Sequence, residues 1–255
     1  EGILIRGAEV LEKLEQVDAI FFDKTGTLTQ GDFAVLEWLS EQAWSGKAQD
    51  AVLALETRSN HPIARALTRY LQSQGARTRS VVENYVETIG HGVSGTVDGI
   101  HYEVSRWNQD ESTAGTWIAV SREGVPILRA RLGDQLRADS AQTVQELRDR
   151  WGITSHLLSG DHASAVAEVA HAVGISPANS IARATPEEKT RVVSAHPRAL
   201  MVGDGANDAI ALGSAFLGVS VHGGMEVSMR AADVYVQRPG IEPVVRLIEI
   251  GRNSM

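Results

Sequence analysis

The chain has 255 residues, 43% hydrophobic and 22% charged, proportions of a packed globular protein rather than of a disordered tail or a coiled coil. Its 32 acidic against 24 basic side chains give a formal charge of −8, which argues against broad binding to nucleic acid or to an anionic membrane, while a local site can still hold a small anion. There is no cysteine, which removes disulfides, thiolate catalysis and thiolate metal sites, and fits a reducing compartment.

Glu1, Arg6 and Glu9 interrupt any apolar run that could serve as a signal peptide. Residues 7–16 predict a short amphipathic helix with Val10, Leu11 and Leu14 on one side. Residues 19–22 are an apolar run ending at Asp23, the pattern of a buried parallel strand. From about Gly31 to Leu132 the texture changes. Helices are predicted over 47–58 and 62–74, then strands near 81–87, 93–97, 100–104, 117–121 and 127–132. The short turns Asp98-Gly99 and Glu123-Gly124 imply antiparallel hairpins. This stretch reads as an α+β insertion.

After Gly133, strands at 154–158, 199–202 and 216–221 alternate with helices at 138–151, 163–173, 186–195, 208–214 and 242–252. That alternation implies βαβ units and a parallel sheet. The longest uncharged stretch, 209–225, is 17 residues rich in Gly and Ser, short of the roughly 20 apolar residues of a membrane-spanning helix. The abrupt ends, Glu-Gly-Ile-Leu-Ile and Arg-Asn-Ser-Met, are those expected of a soluble piece of a longer protein.

In open α/β sheets, ligands lie beyond the carboxyl ends of the strands. Three polar clusters follow predicted strands: 23–27 (DKTGT), 159–161 (SGD) and 203–208 (GDGAND), with Lys189 in a predicted helix as a fourth element. Alone, an Asp-Gly is a turn and a helical Lys is a solvated charge; in this order they make a phosphoryl-transfer site. Asp23 is the expected nucleophile, forming an aspartyl phosphate. Asp204 and Asp208 are expected to help hold Mg²⁺, a hard cation that takes oxygen ligands. Ser159 and the amides of Gly26 and Gly205 would donate to phosphate oxygens, and Lys189 would neutralise developing charge.

Residues 23–29, DKTGTLT, resemble the phosphorylation motif of the P-type ATPases, which are built on the haloacid-dehalogenase-like fold; residues 201–212, MVGDGANDAIAL, resemble their hinge motif. The whole segment 2–29 resembles the heavy-metal-transporting branch, type IB and copper-transporter-like, and the resemblance extends over nearly all of the chain. It implies an α/β fold: a haloacid-dehalogenase-like Rossmannoid parallel sheet with an inserted α+β antiparallel-sheet nucleotide-binding domain. A discontinuous phosphorylation domain is expected over 1–30 and 132–255, and the nucleotide-binding domain over 31–131. In phosphatases of this fold an acid/base Asp stands two residues after the nucleophile, where this chain has Thr25. The aspartyl phosphate is then expected to persist, which disfavours a stand-alone phosphatase.

Within the insertion, residues 59–62, SNHP, resemble the branch's Ser-Xaa-His-Pro motif, in which the His positions ATP. Glu56 matches an acidic residue that contacts adenine. Gly90 and Gly92 match a Gly-Xaa-Gly-Val turn where missing side chains let the backbone approach the nucleotide. His61-Pro62 is equally a helix start. The resemblance further implies ATP and Mg²⁺ as ligands, with Thr25 beside Asp23, Asp204 and Asp208 at the Mg²⁺. Gly160, Asp161, Gly205, Asn207 and Asp134 are expected at the hinges or as phosphate support, Asp134 in a return hinge of sequence DQLR. The expected partners are the membrane helices and actuator domain of the same pump, at the cytoplasmic face of a membrane; no nucleic acid is expected, and the piece itself is expected to be monomeric with slow turnover. Closure of the two domains would bring the γ-phosphate to Asp23. Copper(I) is preferred as cargo on family frequency, with a zinc-type divalent as the other choice.

The chain departs from the family pattern in four places. Ser159 stands where Thr is usual, Ile210 where Pro is common, and Ala206 where a bulkier aliphatic is common. A Gly-Asn pair is missing near Ser105-Arg106, so Arg106 is a candidate replacement contact. The remaining histidines and the five tryptophans show neither metal-ligand spacing nor a stacking pattern and are read as packing or surface residues. A non-catalytic nucleotide-binding module is the third alternative, disfavoured by the complete Asp23, Lys189, Asp204 set.

Overall fold

The computed structural model describes residues 2–253 except 41–43, 79, 108–114, 205–207 and 223–225, and only the backbone of 227 and 228. Along the chain run β1 (Ile3–Ile5), α1 (Glu9–Gln16), β2 (Ala19–Asp23), a loop Lys24–Leu28, β3 (Thr29–Ser40), α2 (Gly46–Glu56) and α3 (Pro62–Ser73). Strands β4 (Val82–Thr88), β5 (Gly92–Val97), β6 (Ile100–Arg106), β7 (Thr116–Arg122) and β8 (Val125–Leu136) follow. Then come α4 (Ser140–Trp151), β9 (Thr154–Leu158), α5 (Ala163–Val173), β10 (Ser180–Ile181), α6 (Pro186–Ser194) and β11 (Ala199–Gly203). The last elements are α7 (Ala209–Ser214), β12 (Leu217–Ser220), α8 (Glu226–Ala231), β13 (Val234–Val236) and α9 (Glu242–Asn253). The chain divides into two compact units, 1–31 with 136–255, and 32–135.

The first unit is built on a seven-stranded sheet in the order β1-β13-β12-β11-β2-β9-β10, parallel except where β1 meets β13. All five residues of β2 are buried. Ile20 and Phe22 pack in one core with Leu14, Leu147 and Leu247, so α1, α4 and α9 cover that face. Ala19 and Phe21 pack in the other with Val193, Met201 and Leu212, under α6 and α7. A strand covered on both faces needs an unbroken apolar run, which is how β2 reads in the sequence. Full burial of Phe22 contributes roughly 1.5–3 kcal/mol. Because β2, β9 and β11 are parallel and in register, with Phe22 opposite both Leu157 and Val202, the loops after all three leave at one edge of the sheet.

The second unit is a six-stranded antiparallel sheet, β3-β8-β7-β6-β5-β4. Strand β5 alternates, with Val93, Gly95 and Val97 buried. The inward face packs against α2 and α3 through Val52, Leu55, Leu67 and Leu71. Asp98-Gly99 and Glu123-Gly124 form two-residue turns with positive φ at both positions, the geometry that matches the strand twist in a hairpin.

The structure adds elements that the pattern did not show. Strand β3 was not expected, because its inward residues Phe33, Val35 and Trp38 break strict alternation between Val35 and Trp38 and no turn residue marks its end. Strands β1, β10 and β13 are two or three residues long, too short for a period to emerge. Helix α8 was also unassigned. Strand β8 runs on through Gly133-Asp134 to Leu136, beyond the predicted end at 132. Among the described residues no helix is long and apolar enough to cross a membrane.

Candidate functional site

Asp23 is the last residue of β2, 6% exposed, and its neighbour across the sheet is Leu158, the residue before Ser159. Asp204 follows β11 on the other side of β2. Helix α6 supplies Lys189. Thr185 caps that helix reciprocally with Glu188, and Pro186 occupies its first turn, an arrangement that sets where the helix begins and hence where Lys189 points. The buried Lys189 ammonium donates to Asp23 Oδ1 and to Asp208 Oδ1, the latter at 2.8 Å. Carboxylate oxygens of Asp23, Asp204 and Asp208 all lie within 4.8 Å of one another, the one such group of three or more metal-capable side chains among the described residues.

The loop between β2 and β3 is held from several directions. Thr29 Oγ1 donates to Lys24 O at 2.8 Å and accepts from Gly26 N–H at 3.3 Å. Arg137 donates to Thr27 O (2.9 Å) and Gly26 O (2.7 Å), and Ser140 Oγ to Leu28 O (2.7 Å). Lys24, 5% exposed, pairs with Asp161 at 2.7 Å. Gly26 has φ +75°, and a Cβ there would stand 1.8 Å from Asp204 Oδ2; only glycine suits both the backbone and the space. This corrects one expectation: the Gly26 N–H is turned into its own loop towards Thr29, and the glycine is required by the closeness of Asp204.

Electrostatics set the site apart. Burial, then the charge of Asp208, push Asp23 up to about 7 against the pull of Lys189. Burial and Asp208 push Asp204 up to about 6. Burial opposes the charge on Lys189, but Asp23 and Asp208 outweigh it and raise that group. Three carboxylates and one ammonium leave two negative charges uncompensated, 3 − 1, when all are ionised. Hard oxygen donors with that excess fit one divalent cation such as Mg²⁺.

Ser159, 2% exposed, accepts from Asp161 N–H at 3.1 Å and keeps its own proton to donate. Thr25 is exposed in the loop beside Asp23. Gly160 follows Ser159, and Asp161 is taken by Lys24. Asp134 lies near the end of β8, in the other unit. Gly205, Ala206 and Asn207 lie outside the described residues. Lys24 and Arg137 fall within the DKTGT and DQLR segments singled out in the sequence, but neither had a role of its own there, and nothing local marked Ser140.

The second unit holds a pocket of about 430 Å³, lined among others by Phe33, Glu56, His61, Gly90, Ile118 and Arg106. Glu56 ends α2 and is 3% exposed. His61 caps α3: its Nδ1 accepts from Ile63 N–H at 3.3 Å, which leaves Nε2 for a ligand. Helix start and pocket wall are therefore the same residue. Nothing stands within 4 Å of a Cβ built at Gly90, but one at Gly92 would meet Val104 O at 1.9 Å. Space at Gly90 fits a ligand; at Gly92, also on the pocket wall, the approach of β6 by itself demands the missing side chain. Ser59 Oγ donates to Glu87 Oε1 at 2.5 Å, and Glu87, on the pocket wall, was not foreseen. Of the other histidines, His156 stacks on Phe21 at 4.4 Å and His91 meets Glu103 at 3.1 Å.

A largely parallel sheet with an aspartate at the end of an interior strand, a lysine from a following helix and a second carboxylate cluster beyond β11 define a class. The chain belongs to the haloacid dehalogenase-like hydrolase family, whose model matches residues 17–215. Over its full length it is similar to P-type ATPases. It is 32% identical to the probable copper-transporting ATPase PacS of Synechococcus elongatus, across 100% of this chain and 36% of that protein. A zinc-transporting PIB-type ATPase in its E2·Pi state superposes with a TM-score of 0.89 at 29% identity, covering 99% of this chain and 44% of the other. The catalytic domain of the CPx-ATPase CopB-B, studied for conformational changes upon nucleotide binding, matches with a TM-score of 0.71 at 30% identity over 97% and 96% of the two chains. The chain thus spans little more than a third of the length of its curated relative PacS.

Proposed function

We propose that this chain is the ATP-binding and phosphorylation part of a heavy-metal cation pump. One observation carries the reading: a buried Asp23 at the carboxyl end of β2, gripped by Lys189 and grouped with Asp204 and Asp208. Asp23 Oδ attacks the γ-phosphorus of ATP, the bond to the β-phosphate oxygen breaks, and ADP leaves with that electron pair. Lys189 meets the charge on the transferring phosphoryl group, and Ser159 O–H donates to one of its oxygens. Asp23, Asp204 and Asp208 would hold Mg²⁺, with Thr25 beside them; bound there, the cation supplies charge neutralisation for phosphate. The Gly26 turn and Arg137 keep the loop carbonyls away from the incoming anion by fixing their hydrogen bonds.

The pocket at Glu56, His61 and Gly90 is read as the seat of the adenine, in keeping with a CopB-B relative studied upon nucleotide binding. Thr25 supplies no carboxyl at the acid/base position, so the aspartyl phosphate persists until another part of the pump directs water to it. The proposed cargo is a transition-metal ion, copper(I) or a zinc-type divalent, in keeping with relatives named for copper and for zinc transport. The test is labelling with γ-phosphate-labelled ATP. Acid-stable, hydroxylamine-labile label is expected in the wild type and none in Asp23→Asn. Label that survives the substitution, or faster release of phosphate from small esters than from ATP, would overturn the reading.

A further inference from the structure

Glu56 closes α2 at 3% exposure, yet among the described residues nothing donates a hydrogen bond to its carboxyl group. It lines the 430 Å³ pocket with its polar end unmatched. Two features of the geometry oppose a negative charge there. Burial removes its water. Glu87 on β4, fastened by the Ser59 hydroxyl at 2.5 Å, adds a like charge.

The other titratable groups around it are Arg58 on the following turn, Tyr85 on β4, His61 at the start of α3, and His91 and Arg106 on the pocket wall; β5 carries none. Arg58 lies over the Tyr85 ring at 5.5 Å. Burial first and Glu87 second push Glu56 up to about 8.

We propose that Glu56 takes the nucleotide base as a neutral carboxylic acid: its O–H donates to a ring nitrogen, its C=O accepts from the adjacent exocyclic amine, and Glu87 is the positioning charge that keeps it neutral. A carboxylate offers acceptors only, so it would serve the amine but face the lone pair of the ring nitrogen. Adenine presents an amine beside an unprotonated ring nitrogen. Guanine offers two neighbouring donors at N1 and N2, which match the ionised form instead. The preference for ATP over GTP therefore falls as pH rises. This inference rests on the reading of the pocket as the ATP site.

The test is calorimetric titration of the chain with ATP at pH 7 and pH 9, wild type beside Glu56→Gln, Glu56→Ala and Glu87→Gln. Glutamine mimics the neutral acid, donor and acceptor together, and shares every other pH effect with the wild type. With the neutral fraction falling from about nine-tenths at pH 7 to about one-tenth at pH 9, wild-type affinity relative to Glu56→Gln should fall about tenfold. Glu87→Gln should move that fall to lower pH, which a purely structural role would not do. Either 1-deaza-ATP or 7-deaza-ATP should bind more weakly than ATP. Full affinity for both analogues, or a wild-type pH ratio equal to that of Glu56→Gln, would overturn the inference. If Glu56→Gln is as weak as Glu56→Ala at both pH values, the pocket stands and the neutral acid falls. If Glu56→Ala binds like the wild type throughout, the ATP pocket itself is wrong.

Discussion

Lys189→Met removes the ammonium that pairs with two buried carboxylates, Asp23 and Asp208, beside the half-buried Asp204. The side chain is 8% exposed, and its two partners, Asp23 and Asp208, are 8% and 2% exposed, so water cannot replace it. Breaking a buried pair by deleting one partner costs about 3–5 kcal/mol. Asp23 limits that loss by taking up a proton, since its folded value already stands near 7 and loses the pull of Lys189 in the variant. An acid raised in the folded state gives a contribution that is full below its unfolded value near 3.8 and lost as pH rises through the folded value. The variant should therefore lose less at pH 5, where Asp23 is protonated and only the Asp208 contact is given up, than above pH 8, where both contacts are. Urea unfolding at the two pH values measures it. A loss under about 1 kcal/mol at pH 8, or one equal at both, would refute the argument that Lys189 is the counter-charge of a buried cluster.

Two further outcomes test the geometry. Gly92→Ala would drive a methyl to 1.9 Å from Val104 O; it should destabilise the protein by more than about 2 kcal/mol and abolish ATP binding, both visible by thermal melting with and without ATP. Millimolar Mg²⁺ should raise the melting temperature of the wild type, by about 2.7 kcal/mol of stability at a hundredfold excess over the dissociation constant. Asp204→Asn should lose most of that gain, and an undiminished Mg²⁺ effect in the variant would move the cation elsewhere.

How much was legible beforehand differs between the two kinds of information. The α/β class came from apolar runs such as 19–22 and from strand–helix alternation, because a parallel sheet covered on both faces constrains every strand locally. Asp23, Ser159 and Asp204 were legible as strand-end polar residues, since parallel strands in register must release their loops at one edge. Strand β3 was not, because an edge strand with charged residues such as Asp32 and Glu37 carries little of that constraint.

The pairings that shape the sites belong to tertiary structure alone. Lys24 finds Asp161, Arg137 reaches the Gly26 carbonyl 111 residues away, and Ser59 binds Glu87 28 residues on. No local period or propensity selects such partners. A charge or hydroxyl is indifferent to which acceptor it meets until packing removes water and leaves one within reach. For the same reason the sequence names Glu56 as a carboxyl group, while only burial beside Glu87 pushes it up to about 8.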